Sequence, residues 1–511
     1  MLAITRSLCL QGIEATPVTV EVDIHNGLPA FDIVGLASQS VKEAKERVRA
    51  AIKNSGFEFP LQRITVNLAP ADLRKEGSHF DLAIALGILL ASRQVEGPVQ
   101  EAFMAGEVSL DGSLRQVPGV LPMVLALCQT CPGAHLLIPP GNAAEAALVP
   151  GLRTWLAPSL AAAAAHLSGN RTLSPVTPAH APPATAGTAH PDLSDIRGQE
   201  GARRALEVAA AGGHNLLLIG PPGSGKTMLA RRLPGILPPM TREEVLDASR
   251  IYSVAGLLHR HGALVSERPF RAPHHTASSA AVIGGGRSAH PGEVSLAHHG
   301  VLFLDELAEF PRDVLEALRQ PLEEGTVTVV RAQARATYPA RFMLVAAMNP
   351  CPCGHFNDPL RECCCTPHQV QRYLGRISGP LLDRSDLQVE VARVTFEEMR
   401  TSAPAEASAS VRTRVAAARE RQAHRYRGLP FSLNAHLDAR QVRRFCHLEP
   451  EAEELLRAAF SRLGLNARGH DRLLKVARTI ADLEASELIQ PAHLAEAIRY
   501  RSLDKKYWSR P

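Results

Sequence analysis

Leu216-Leu-Leu-Ile-Gly-Pro-Pro-Gly-Ser-Gly-Lys-Thr227 decides how the chain is read. Its aliphatic opening reads as a strand buried on both faces. The octet that follows, Gly220, Pro221, Pro222, Gly223, Ser224, Gly225, Lys226 and Thr227, fits the phosphate-binding pattern G-x-x-x-x-G-K-[ST] at every fixed position. The chemistry requires these residue types. Glycines let backbone amides close on phosphate, Lys226 brings positive charge to the β- and γ-phosphates, and Thr227 offers a hydroxyl to Mg2+. A helix begins at Lys226, so its N-terminus adds to the anion site.

Downstream, Val301-Leu-Phe-Leu-Asp-Glu306 is an apolar strand ending in two carboxylates. Asp305 is expected in the Mg2+ shell, and Glu306 orients or deprotonates the attacking water. Such a strand is common alone; after a phosphate-binding loop it points to ATP hydrolysis rather than mere binding. A third strand, Phe342 to Met348, leads into Asn349, where a γ-phosphate sensor would sit; the other reading is an Asn capping the turn before Pro350. Leu381-Leu-Asp-Arg-Ser-Asp386 places Arg384 before a strand, as a finger reaching into a neighbouring subunit's site. Arg468, opening the helix after Leu465-Asn-Ala, is the candidate second sensor; Arg472 is the alternative, and ordinary surface ion pairs are the other reading of both arginines.

The 511 residues carry 45% hydrophobic and 21% charged residues, which excludes a wholly disordered chain. The longest apolar stretches fall short of the roughly 18 residues a spanning helix needs, and the N-terminus lacks a signal-peptide pattern. The expectation is a cytoplasmic protein with no membrane partner. A net charge of +5 permits a nucleic-acid partner without arguing for one. A Pro/Ala-rich stretch divides the chain into an N-terminal domain (1–168), a linker (169–192), an ATPase core (193–394) and a helical domain (395–511). Alternating strands and helices in the core argue a parallel sheet with helices on both faces. In the N-terminal part, Val18 to Ile24 alternates as a strand, His25-Asn-Gly27 reads as a hairpin turn, Ser38 to Asn54 as a helix, Arg63 to Leu68 as a strand and Phe80 to Ala91 as a buried helix.

Five of the nine cysteines fall between Cys351 and Cys365. Cys351, Cys353, Cys363 and Cys365 form two C-x-C pairs able to close a tetrahedral Zn2+ site, with Cys364 spare and His355 and His368 as alternative ligands. Reduced, non-ligating thiols in an exposed loop are the other reading. Thr326–Val330 and Tyr338–Val345 flank a hairpin with Arg331 and Arg335 near its tip, candidates for DNA phosphate contacts or ordinary surface arginines. Arg412, Arg414, Arg419, Arg421, Arg425 and Arg427 crowd one helical segment with Glu420 as the only acid nearby in sequence, a pattern that could track a DNA backbone or mark a solvated face.

Taken together, these motifs, with Asp195-Ile-Arg-Gly-Gln199, Gly212-Gly-His-Asn215, RAPHHTAS (Arg271–Ser278), HPGEVSLAHHGVLFLDE (His290–Glu306), AAMNPCPCG (Ala346–Gly354) and SGPLLDR (Ser378–Arg384), resemble the ComM/YifB family of magnesium-chelatase-like AAA+ ATPases. Val34-Gly-Leu36 and NLAPADLRKEG (Asn67–Gly77) resemble that family's first domain, and Ser385 departs from the bulky apolar residue more usual beside the finger. The resemblance implies an α/β fold: an AAA+ P-loop core with a C-terminal helical lid, preceded by an α+β, Lon-protease-like domain. It further implies a homo-hexameric ring using ATP and Mg2+, acting on single-stranded or branched duplex DNA, as in branch migration during natural transformation. The Lon resemblance puts His79 at the position of the nucleophilic serine and Leu121 at that of the lysine, with Ser78 one residue away. Without hydroxyl and amine there is no such covalent chemistry, so the first domain is expected to be non-catalytic. The competing readings are a metal-insertion or protein-remodelling chaperone and, less favoured because of His79 and Leu121, an ATP-dependent protease.

Overall fold

Val18, Val20, Val22 and Ile24 alternate with more exposed neighbours, and in a computed structural model of the protein they all face one core. The structure describes residues 1–97, 99, 101–177, 190–258, 264–286, 289–331, 334–358, 361–394, 405–463 and 466–508. The strand carrying the alternation, Glu14–His25, is central in an eight-stranded mixed sheet. In order across that sheet run Ser174–Pro175, Arg153–Leu156, His135–Ile138, Ala102–Met104, Leu2–Gln11, Glu14–His25, Arg63–Ala69 and Ala30–Val34. The helix Asp81–Ala91 is buried almost throughout and lies against it. Gly87 permits the approach, because a Cβ there would sit 2.6 Å from Cγ2 of Val22.

His25-Asn-Gly27 does not close a hairpin. The next strand, Ala30–Val34, crosses over and pairs in parallel with Arg63–Ala69, which lies between it and Glu14–His25. The hairpin is one turn earlier, where Gly12 at φ +64° joins Leu2–Gln11 to Glu14–His25. The expected helix from Ser38 to Asn54 is broken into Gln39–Lys42 and Ala44–Asn54.

Within the expected linker, Ser174–Pro175 joins the edge of the N-terminal sheet, and just after it Leu193 is buried in the core of the next domain; residues 178–189 lie outside the described ones. That next domain holds a five-stranded, all-parallel sheet ordered Phe270–Arg271, Val301–Leu304, Met343–Met348, Leu216–Ile219, Leu387–Glu390. Leu216–Ile219 is wholly buried and bonded on both sides, which explains its unbroken aliphatic run. The expected boundary near 395 falls among residues outside the described ones. Among the described residues beyond it come five α-helices, Ser408–Arg425, Ala439–Phe445, Pro450–Leu463, Ala467–Leu483 and Pro491–Arg499. The first and fourth pack on the core helix Glu200–Gly212.

The N-terminal domain is seated on the core. Leu121 packs with Ala248, Ile251 and Tyr252 of the helix Arg242–Val254, and Ser253 Oγ donates to Glu145 Oε2 at 2.6 Å. The turn at Gly12 reaches further: a Cβ there would lie 2.9 Å from the carbonyl oxygen of Thr337, and Arg250 Nη2 donates to the Ile13 carbonyl at 3.2 Å. No helix among the described residues is long and apolar enough to cross a membrane.

Candidate functional site

In a parallel sheet all carboxyl ends point the same way, so loops leaving neighbouring strands converge there. Leu216–Ile219 delivers Gly220, Val301–Leu304 delivers Asp305 and Glu306, and Met343–Met348 delivers Asn349. Gly223 and Gly225 take φ of +75° and +91°, values that favour glycine. At Gly220 there is no room for a side chain, since a Cβ would lie 2.1 Å from the Val391 carbonyl oxygen.

The side chains meet in this loop. Lys226 Nζ donates to the carbonyls of Gly220 at 2.8 Å and Pro221 at 2.9 Å, and to Oδ1 of Asn349 at 3.2 Å. Burial pushes this ammonium down to about 8, against the opposing pull of Asp305 and Glu306. Phosphate oxygens would compete for the same three protons. Thr227 Oγ1 donates to Asp305 Oδ2 at 2.7 Å, so a hydroxyl and a carboxylate stand together as hard oxygen donors of the kind Mg2+ takes. The residues present fit that ion.

Glu306 follows in the left-handed region at φ +54°, half exposed, with Oε2 3.2 Å from Nδ1 of His275. His275 had no role in the sequence reading, though it lies inside the RAPHHTAS stretch. The signal is topological: Phe270–Arg271 pairs in parallel with Val301–Leu304, so residues just beyond Arg271 arrive at the same edge as Glu306. A two-residue strand leaves no periodicity by which to find it.

Arg384 lies at the other end of the sheet. Asn215, which precedes Leu216, donates from Nδ2 to the Arg384 carbonyl at 3.0 Å. At about 3.3 Å per residue, the strand puts Asn215 roughly 16 Å from Gly220. Arg384 is buried, ion-paired with Glu323 and donating to the Pro380 carbonyl, while its Nε has no partner. Burial lowers its guanidinium from the ordinary value, with Arg319 and Arg468 acting in the same direction. It lines a cavity of about 710 Å³ together with Arg468, Arg472, Lys475 and Asp386. Arg472 lies 3.8 Å from Asp383 and 3.7 Å from Asp386, whereas among the described residues no carboxylate pairs with the exposed Arg468.

Arg331 and Arg335 are exposed at the end of the hairpin formed by Thr326–Arg331 and Ala334–Pro339; residues 332 and 333 lie outside the described ones. Below them Val327, Val329 and Tyr338 are buried, and Tyr338 Oη donates to the Ala289 carbonyl at 2.9 Å.

The arginine-rich helix Ser408–Arg425 is not an open basic face. Arg412 donates to the Gly235 carbonyl, Arg419 to that of Ala210 and Arg421 to that of Asp482. Arg414 joins Glu207 and Glu406, and Arg425 clasps the buried Asp482. Glu207 and Asp482 are distant in sequence and Glu406 stands just before the helix, so Glu420 was the wrong acid to weigh. The helix is fastened to the core, and the DNA-tracking reading of it is withdrawn.

In the first domain, His79 is buried with Nε2 2.8 Å from the Leu8 carbonyl oxygen, and burial pushes it down to about 4. Leu121 is sealed against the core helix, and Ser78 bonds Glu107. Neither His79 nor Leu121 offers the hydroxyl or the amine of a Ser–Lys pair.

The thiols converge. Sγ of Cys351 is 3.4 Å from that of Cys353 and 3.7 Å from that of Cys363, and Cys353 and Cys363 are 3.6 Å apart. Cys365 completes a group whose sulfurs all lie within 4.8 Å, while Cys364 is exposed and outside it. His355 is paired to Asp358 instead, and His368 is exposed and not in the group.

Three family descriptions match successive parts of the chain: "Subunit ChlI of Mg-chelatase" over residues 20–142, "Magnesium chelatase, subunit ChlI" over 192–399 and "Magnesium chelatase, subunit ChlI C-terminal" over 405–501. A YifB protein of Salmonella typhimurium is 47% identical over 509 residues, covering 99% of this chain and 98% of the relative. The competence protein ComM of Haemophilus influenzae is 47% identical over 507 residues, covering 98% of each. A Mycobacterium tuberculosis protein is 44% identical over 498 residues, 97% of each.

Proposed function

The chain belongs to the ComM/YifB family of magnesium-chelatase-like AAA+ proteins, and on that premise we propose that it is a ring-forming ATPase that moves DNA in the cytoplasm. The observation that carries this reading is the separation of Lys226 and Arg384 at opposite ends of one sheet. Arg384 stands too far from the phosphates held by its own chain to serve them, which supports a role at the site of a neighbour. A head-to-tail contact of that kind closes into a ring, for which a homo-hexamer is the family's expected form.

In each site Lys226 and the loop amides bind the phosphates, and Thr227 with Asp305 holds Mg2+, which neutralises charge developing on the transferred phosphoryl group. Glu306 orients the water and takes its proton; Asn349 contacts the γ-phosphate and Lys226 together. Arg384 and Arg468, entering from the next subunit, stabilise the transition state, and Arg468 is preferred over Arg472 because the latter is already engaged by two aspartates. Zn2+ at Cys351, Cys353, Cys363 and Cys365 completes the cofactor set. Arg331 and Arg335 supply phosphate contacts from hairpins directed into the ring's channel. The relation to a competence protein favours branched or single-stranded DNA as substrate, with branch migration as the output.

ATP turnover measured with a four-way DNA junction, with linear duplex and with an unfolded protein tests the assignment. Stimulation by the junction, together with its conversion into separated arms, is expected. Stimulation by unfolded protein alone would instead establish a protein-remodelling machine.

A further inference from the structure

We propose that Zn2+ at the four-cysteine knuckle is the brace that holds the phosphate-binding loop in its nucleotide-accepting shape; this rests on the zinc assignment above. The sulfurs themselves argue for a single tetrahedral ion. Four thiolates at about 2.3 Å from one Zn2+ stand about 3.8 Å apart, close to the observed 3.4–3.7 Å, whereas a disulfide needs about 2.05 Å.

The knuckle starts two residues after Asn349, with Pro350 between the sensor and the fully buried Cys351. Its first two ligands lie on a turn closed by the Gly354 amide donating to the Cys351 carbonyl at 3.0 Å. That turn lies close against the loop. Gly354 has φ +83°, and a Cβ built on it would lie 2.5 Å from Cδ and 2.7 Å from Cγ of Pro222, with Asn349 Cγ at 3.8 Å. The contact therefore joins the knuckle's backbone to the ring of a phosphate-loop residue.

A second tie runs around the other side. Asp358, within the same excursion, is 3.4 Å from Arg393 Nη2. Arg393 follows Val391, whose carbonyl stands where a Gly220 side chain would be. The other two ligands, Cys363 and Cys365, precede Thr366, which caps the helix Pro367–Leu374, itself anchored by the buried Val370 and Tyr373. Without a metal, the Cys351–Gly354 turn loses its bond to that anchored segment. With one, the close packing on Pro222 and the placement of Asn349 beside Lys226 are fixed together.

The experiment compares full-length wild type, Cys353→Ser/Cys363→Ser, Gly354→Ala and Gly354→Ala/Pro222→Ala, purified without chelator. Metal content, secondary structure by circular dichroism, and affinity for a fluorescent ATP analogue are read for each. Wild type should carry about one zinc per chain, and its absence there would overturn the zinc assignment itself. The double-cysteine variant should lose zinc and bind nucleotide at least tenfold more weakly; zinc lost with affinity unchanged would overturn the brace while leaving the metal site standing. Should that variant not fold, the glycine variants decide. Gly354→Ala should keep its zinc yet bind nucleotide more weakly, and adding Pro222→Ala should recover part of the loss. Wild-type affinity in Gly354→Ala, or no recovery on truncating Pro222, would overturn the contact on which the proposal depends.

Discussion

Nδ1 of His275 lies 3.2 Å from Oε2 of Glu306, so the residue proposed to handle the attacking water is approached from the neighbouring strand's loop. One carboxylate oxygen faces the ring, and in the proposed mechanism the other serves the water. Removing the ring lets a half-exposed side chain turn into solvent. His275→Ala should lower kcat about tenfold with little change in nucleotide affinity, and His275→Gln, which can still donate to the carboxylate, should lower it less. Glu306→Gln should cost ~10²–10⁴-fold, the range for a lost general base. Steady-state turnover alongside equilibrium binding separates the two effects. If His275→Ala weakens binding and turnover equally, the ring does not act through Glu306.

Lys226 links proton and phosphate. With its pKa pushed down to about 8, the ammonium is present at neutral pH and is lost as pH rises through that value. Affinity for ATP should be flat below pH 7 and weaken by up to about tenfold by pH 9, because the neutral amine balances no phosphate charge. Lys226→Ala should bind weakly at every pH with this dependence removed. On stability the sign is opposite: the unfolded lysine binds a proton more tightly than the folded one, so between about 8 and 10.4 this group contributes increasing stability as pH rises. Titrating affinity with a fluorescent analogue, and melting temperature in the same buffers, checks both directions.

Arg384→Ala should bind ATP nearly normally and hydrolyse it at least ~10³-fold more slowly, since the phosphate loop is untouched. Mixed with Glu306→Gln, also inactive alone, it should regain turnover, because some interfaces then pair an intact Glu306 with an intact Arg384. Mixed rings confirmed by mass that stay silent at every ratio would place Arg384 in a structural role.

Asp482 is fully buried and receives Arg425, Arg478 at 3.2 Å and Asn434 Nδ2 at 2.8 Å. Asp482→Ala leaves buried guanidinium charge uncompensated, which costs about 3–5 kcal/mol. Denaturant unfolding should show the lid transition shifted by that amount, while Arg427→Ala, exposed on the same segment, should leave it in place.

Much of the nucleotide site was legible because its chemistry is local. Eight consecutive residues carry the loop, and apolar runs ending in Asp305 and Asn349 announce the strands beside it. What was not legible depends on partners brought from afar. Arg414 and Arg425 looked like a free basic stripe until Glu207 and Asp482 arrived from other helices, with Glu406 turning back from just before the same helix. His275 was hidden behind a strand of two residues. The turn at His25 was chemically suitable for a hairpin, but the core side of Ala30–Val34 was better satisfied across Arg63–Ala69. Three successive cysteines blurred the choice of thiols in the sequence; in the fold Cys364 is exposed and stands outside the group.

The seat of Gly12 against Thr337 gives the N-terminal domain a mechanical office. Thr337 belongs to the return strand of the hairpin that carries Arg331 and Arg335 at its tip. A load pulling on those arginines is led down the strand to a backbone-to-backbone stop, and closely packed interiors yield little under such a load. The eight-stranded sheet behind Gly12 is thus a backstop: a hairpin pushed toward it meets filled space.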